Sequence, residues 1–127
     1  MVDALTILYR PVGLKELESI RDSGFRAFRP RLASQPFFYP VLNEEYAVQI
    51  ARDWNTKDEV SGYEGFVLRF SVRSKFLIEY DVHVVGNSTH REYWIPAADL
   101  PLLNSNIVGT IEIVRHYRSE VLADNLG

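Results

Sequence analysis

Phe66, Leu68, Phe70 and Val72 alternate with Val67, Arg69, Ser71 and Arg73. A two-residue period places successive side chains on opposite faces, so this run predicts a strand with at least one buried face. Residues 4–10 (ALTILYR) form a second apolar, β-branched run, which Pro11 is expected to stop. Residues 107–117 (IVGTIEIVRHY) predict the last strand. Between them, residues 76–85 continue β-rich, Gly86, Asn87 and Ser88 read as a turn, and residues 92–95 return. A hairpin is expected there, ended by Pro96.

The period changes in two places. Leu14, Leu17 and Ile20 or Arg21 recur at helical intervals among Lys15, Glu16 and Glu18, and Gly24 closes the run. Asn43 is placed to cap a second helix, NEEYAVQIARDW, with Glu44 and Glu45 in its first turn and Tyr46, Ala47, Ile50, Ala51 and Trp54 on one face. Residues 97–104 predict one more helical turn. Residues 25–31 alternate aromatic and basic side chains, and residues 35–39 make a short β candidate bounded by prolines; both read as edge or site-lining pieces. Two helices near the N-terminus, then strand after strand with little helix to cross between them, predict an α+β fold rather than a doubly wound parallel sheet.

Composition narrows the function classes. A chain of 127 residues fits one domain, read as residues 1–118 with a tail at 119–127. Its 14 basic and 17 acidic side chains leave a net charge of −3, too balanced for the positive field that duplex DNA binding requires. The absence of cysteine removes disulfides, thiolate nucleophiles and zinc-thiolate sites. The N-terminal stretch carries an acidic residue where a signal peptide is basic, and no apolar run is long enough for a bilayer, so a cytoplasmic protein without membrane contact is expected. His83, His90 and His116 lack metal-ligand spacing, and no metal is expected. Neither a dinucleotide-binding glycine motif, a P-loop nor a nucleophile elbow is present.

Three places break their local pattern: Tyr9-Arg10 at the end of the first strand, Phe38-Tyr39 before the long helix, and Glu92 at the head of the aromatic segment EYWIP. Each has a plain structural reading, as a paired surface arginine, an edge aromatic and a rim charge. Arg26, Arg29 and Arg31 likewise read as a solvated edge or as a phosphate-binding rim.

Taken in order, the three places resemble the ADP-ribosyltransferase-like superfamily. Its first strand offers histidine or arginine, a middle strand tyrosine or serine, and a late strand a glutamate ahead of a hydrophobic run. Here LYRPVG is similar to the first motif, FFY followed by EYA to the second, and EYWIP to the third. Over residues 5–114 the chain also resembles small bacterial proteins carrying the label ADP-ribosylation/crystallin J1. The resemblance implies a split-sheet α+β fold, with two small, mainly antiparallel sheets around an NAD cleft and two N-terminal helices. It implies NAD as substrate, with Arg10, Tyr39 and Glu92 as catalytic residues and Tyr9, Arg10, Val12, Gly13, Phe38, Tyr39, Tyr46 and His90 in the nucleotide site. Arg10 would hold a phosphate or the ribose, Tyr39 or Phe38 would stack on nicotinamide, and Glu92 would accept from the ribose 2′-hydroxyl. Arginine here accompanies FFY, and His90 stands where many transferases acting on proteins carry glutamine or glutamate. Thr89 and His90 would then position water or another acceptor. The rival expectation is a non-catalytic module of the same fold that binds a nucleotide or a protein.

Overall fold

Strand β3 (Glu64–Arg73) is buried on both faces over part of its length, and the other elements are arranged around it. The computed structural model describes residues 3–86 and 90–119. β3 lies between β1 (Leu5–Val12) and β7 (Ile107–Arg118), antiparallel to both. Phe66, Leu68, Phe70 and Val72, the predicted apolar face, join Leu8 and Val12 of β1 in the main core. Val67 faces the other way and packs with Val41, Ala47 and Ala51 in a second core. The first core is closed by Leu17 and Ile20 of α1 (Leu14–Asp22) and by Leu100 and Leu103 of α4 (Leu100–Ser105). The second core is closed by α2 (Glu44–Asp53). The fold is a mixed α+β one, with small antiparallel sheets and four α-helices among the described residues.

Asn43 caps α2 as its sequence predicts, its side-chain oxygen accepting from the Tyr46 N–H at 2.7 Å. Trp54, expected on the buried face of that helix, is instead 73% exposed at its C-terminal cap. The helix meets the sheet through its small residues, Ala47 and Ala51, and leaves no room there for an indole.

β1 does not stop at Pro11; it runs on to Val12, with Pro11 opposite Val67. The Tyr9 N–H donates to the Val41 carbonyl, away from β3. Pro11, two residues on, has its missing donor on that same outer side, so no bond to β3 is lost. Residues 76–85 are not continuous strand. A helical turn, α3 (Ser74–Leu77), sends Leu77 into the core and brings Phe76 against Tyr80, 5.1 Å between rings. Only β4 (Val82–Val84) remains to pair with β5 (Arg91–Tyr93). The expected hairpin is thus three residues deep; Asn87 and Ser88 of its predicted turn lie outside the described residues. The aromatic segment then changes partner at Trp94, and β6 (Ile95–Pro96) pairs with β2 (Phe37–Phe38).

Gly65 sets how closely α2 approaches the sheet. A Cβ at that position would lie 2.2 Å from the Ala51 carbonyl oxygen, which is backbone and cannot turn aside. Gly65→Ala is therefore expected to destabilise the protein by on the order of 3 kcal/mol through overpacking. Urea denaturation measures this as a lower midpoint with unchanged slope.

Candidate functional site

Val41 holds the site together through the backbone. Its N–H donates to Tyr9 O at 2.8 Å and its carbonyl accepts from the Tyr9 N–H at 2.9 Å. On its other side the Leu42 N–H donates to Arg91 O at 3.0 Å and the Tyr93 N–H to Pro40 O at 2.9 Å. One residue thus bridges β1 to β5 and carries Glu92 to the open side of the first strand. Arg10, Tyr39 and Glu92, from three distant segments, come to line one open cavity of about 240 Å³ with Pro11, Val41 and Ile50.

Arg10 is paired, as its plain structural reading has it, but it is buried and not at the surface. It is 8% exposed, and its Nε and Nη2 donate to the two carboxylate oxygens of Glu16 at 2.6 and 3.0 Å. Its guanidinium carbon sits 4.3 Å from the centre of the Phe38 ring, a cation over an aromatic face. Phe38 is itself core, packed on Phe28 at 4.8 Å between rings, and Phe28 on Phe70 at 4.9 Å. Among the described residues, three of its five guanidinium N–H groups donate no hydrogen bond. Burial pushes the Glu16 carboxyl up, but the charge and hydrogen bonds of Arg10, with Arg31 and Arg29 beyond, bring it net below its ordinary 4.5.

Glu92 is half-buried. Trp94 Nε1–H donates to Oε1 at 2.9 Å, and the Tyr46 hydroxyl makes a longer contact to Oε2 at 3.4 Å. Burial and the negative charge of Glu92 raise Tyr46 above its ordinary value, which keeps that hydroxyl a donor. Each donor is braced by a ring: Tyr46 stacks on His90 at 4.3 Å and Trp94 on His83 at 3.9 Å. Among the described residues Glu92 has no ion-pair partner. Tyr39 presents its ring edge to edge-on Trp94, 6.0 Å between centres at 89°.

The remaining predicted nucleotide-site residues divide. Tyr46 and His90 stand beside Glu92. Val12, Gly13 and Phe38 line a second cavity, of about 300 Å³, across the Arg10–Glu16 pair. Tyr9 packs into the second core and lines neither cavity. Thr89 lies outside the described residues. Glu16 and Trp94 were not predicted. Trp94 could have been found, because it stands two residues after Glu92, where a strand returns to the same face; Glu16, on an amphipathic helix, carried no comparable signal.

No family model, curated protein or solved structure matches this chain. The geometry above is what any functional reading must rest on.

Because the folded-state value of Glu16 lies below 4.5, the stability it contributes is complete above that pH and lost as pH falls through the folded value. Glu16→Gln is expected to flatten this acid limb of the stability curve. At neutral pH the variant should be less stable by about 3 kcal/mol, because Arg10 stays buried without its counter-charge. Denaturation midpoints measured across the acid range and at neutral pH check both effects.

Proposed function

We propose that this chain is an ADP-ribosyltransferase-like protein that binds NAD, cleaves its nicotinamide–ribose bond and passes ADP-ribose to an acceptor or to water. The observation that carries the reading is the convergence of Arg10, Tyr39 and Glu92 on one cavity. Two small antiparallel pairs beside a three-stranded sheet, one of them, β4–β5, joined to it through Val41, support the split-sheet fold of that superfamily.

The chemistry follows from the placement of charge. As the C1′–N bond breaks, its electron pair goes to the nicotinamide nitrogen and the sugar becomes oxocarbenium-like. The acceptor oxygen or nitrogen then bonds to C1′ and releases its proton. Glu92, which among the described residues is held by two neutral donors and no cation, would set its carboxylate against the developing positive charge and could accept from the 2′-hydroxyl. Tyr39 offers a ring face to nicotinamide. Arg10 offers its three free N–H groups to ribose or phosphate oxygens.

The test is nicotinamide release from NAD, followed chromatographically. Glu92→Gln is expected to lower the rate by about 100-fold or more while NAD still raises the melting temperature. Release that survives this change would remove Glu92 from the chemistry. If the unaltered protein releases no nicotinamide with water or any acceptor, yet NAD raises its melting temperature, the domain is a non-catalytic nucleotide-binding module.

A further inference from the structure

The second cavity carries its own chemistry. Its charged lining is Lys15, Arg29, Arg31 and Glu16, three cations against one carboxylate, and that carboxylate is already closed on Arg10. Lys15 and Arg29 make no hydrogen bond or ion pair among the described residues. In a protein of net charge −3 this is a concentration of unanswered positive charge. Arginines on a convex surface are usually just solvated. These stand around a hollow of about 300 Å³ with Phe28 and Phe38, both core residues, in its wall. Burial first, and the charge of Arg10 second, pull Arg31 below its ordinary value, as expected where cations are gathered with too little negative charge. The N-terminus of α1 opens on the same hollow with no capping side chain, and adds its partial positive charge.

A second, independent feature concerns Asn55, which also lines this cavity. Its Oδ1 is buried without a hydrogen-bond partner. Turning the amide over would not cure this. The single Ser61 hydroxyl hydrogen goes to Asp58 at 2.7 Å, so Ser61 Oγ must accept from Asn55 Nδ2, at 2.9 Å, and Oδ1 is left bare. A ligand hydroxyl or amino group in the hollow would satisfy it after a turn of the Asn55 side chain, since the oxygen has no open surface as it stands.

We propose that this cavity is a second binding site, taking a small phosphate ester whose phosphate lies among Arg29, Arg31 and Lys15 and whose body offers a donor to Asn55. The volume suits a sugar phosphate or mononucleotide. The site is distinct from the first cavity in that the Arg10–Glu16 pair stands between them with one partner in each wall, and a molecule passing directly from one to the other would have to open that pair. The Phe38 ring beneath Arg10 is likewise fixed in the core.

Calorimetric titration with inorganic phosphate, ribose 5-phosphate and adenosine monophosphate, with adenosine as the uncharged control, tests the proposal. A phosphate ester is expected to bind and adenosine not to. Arg29→Glu should weaken binding at least tenfold; Arg29 is exposed and makes no hydrogen bond or ion pair among the described residues, and a cooperative thermal transition confirms that the variant folds, with a small loss of stability expected because its charge also acts on Glu16. Arg31→Gln should weaken it similarly, and Asn55→Ala should weaken the esters but not inorganic phosphate. Failure of every phosphate ester to bind, or binding indifferent to Arg29→Glu, overturns the site. One-for-one competition between the ester and NAD overturns its independence. Absence of NAD binding with ester binding intact would instead strike the function proposed above and leave this site standing.

Discussion

A guanidinium can remain charged against the face of a core phenylalanine only if something answers its charge, and in this fold Glu16 does so through both carboxylate oxygens. The pair and the ring tie together three elements that also share the main core. Arg10 comes from β1, Glu16 from the first turn of α1 and Phe38 from β2. Because two charges and a ring are satisfied together, none can move without exposing the others. The end of β1, the direction of α1 and the short strand below them are thereby held in one arrangement. The positions of both cavities follow from it, since each takes part of its wall from this group.

Backbone does for Glu92 what the ion pair does for Arg10. Val41 exchanges hydrogen bonds with Tyr9 on one side while its neighbours bond to β5 on the other, so β5 is held at a set distance from β1. Two residues later the aromatic segment leaves β4 and joins β2 through Ile95. That change of partner lets Trp94 turn its indole N–H back to Glu92 while Ile95 enters the core. A straight continuation of the hairpin would have given up one or the other.

Much of this could be read from the chain itself, and what could not has physical reasons. β3 and α2 were legible because a two-residue period and a capped amphipathic turn are local signals, complete within ten residues or so. Residues 76–85 misled because a buried turn such as α3 and a buried strand both need apolar residues, and periodicity does not separate them over so short a run. Pro11 misled because a proline breaks only the side of a strand that its nitrogen faces, and that side is decided by pairing with β3. Within the site, breaks in the local pattern singled out Arg10, Tyr39 and Glu92, which line one cavity, yet the state of Arg10 did not follow from them. Glu16 is a common kind of residue on the polar side of a helix; only the docking of α1 against β1 makes it a counter-charge.

The same pair also divides the electrostatics. Arg10 lines the first cavity but is neutralised from behind by Glu16, so the charge left to act there is that of Glu92, which among the described residues has neutral donors on both oxygens and no cation. A region with that sign favours a ligand that is positive or becomes so. Across the pair the balance reverses, because Glu16 is already engaged and Lys15, Arg29 and Arg31 remain. Had Arg10 stood free, its charge would have cancelled that of Glu92 within the first cavity and weakened any stabilisation of positive charge there. Burying the arginine with a partner keeps its hydrogen-bond donors available while removing most of its field, and the carboxylate opposite is left to act alone.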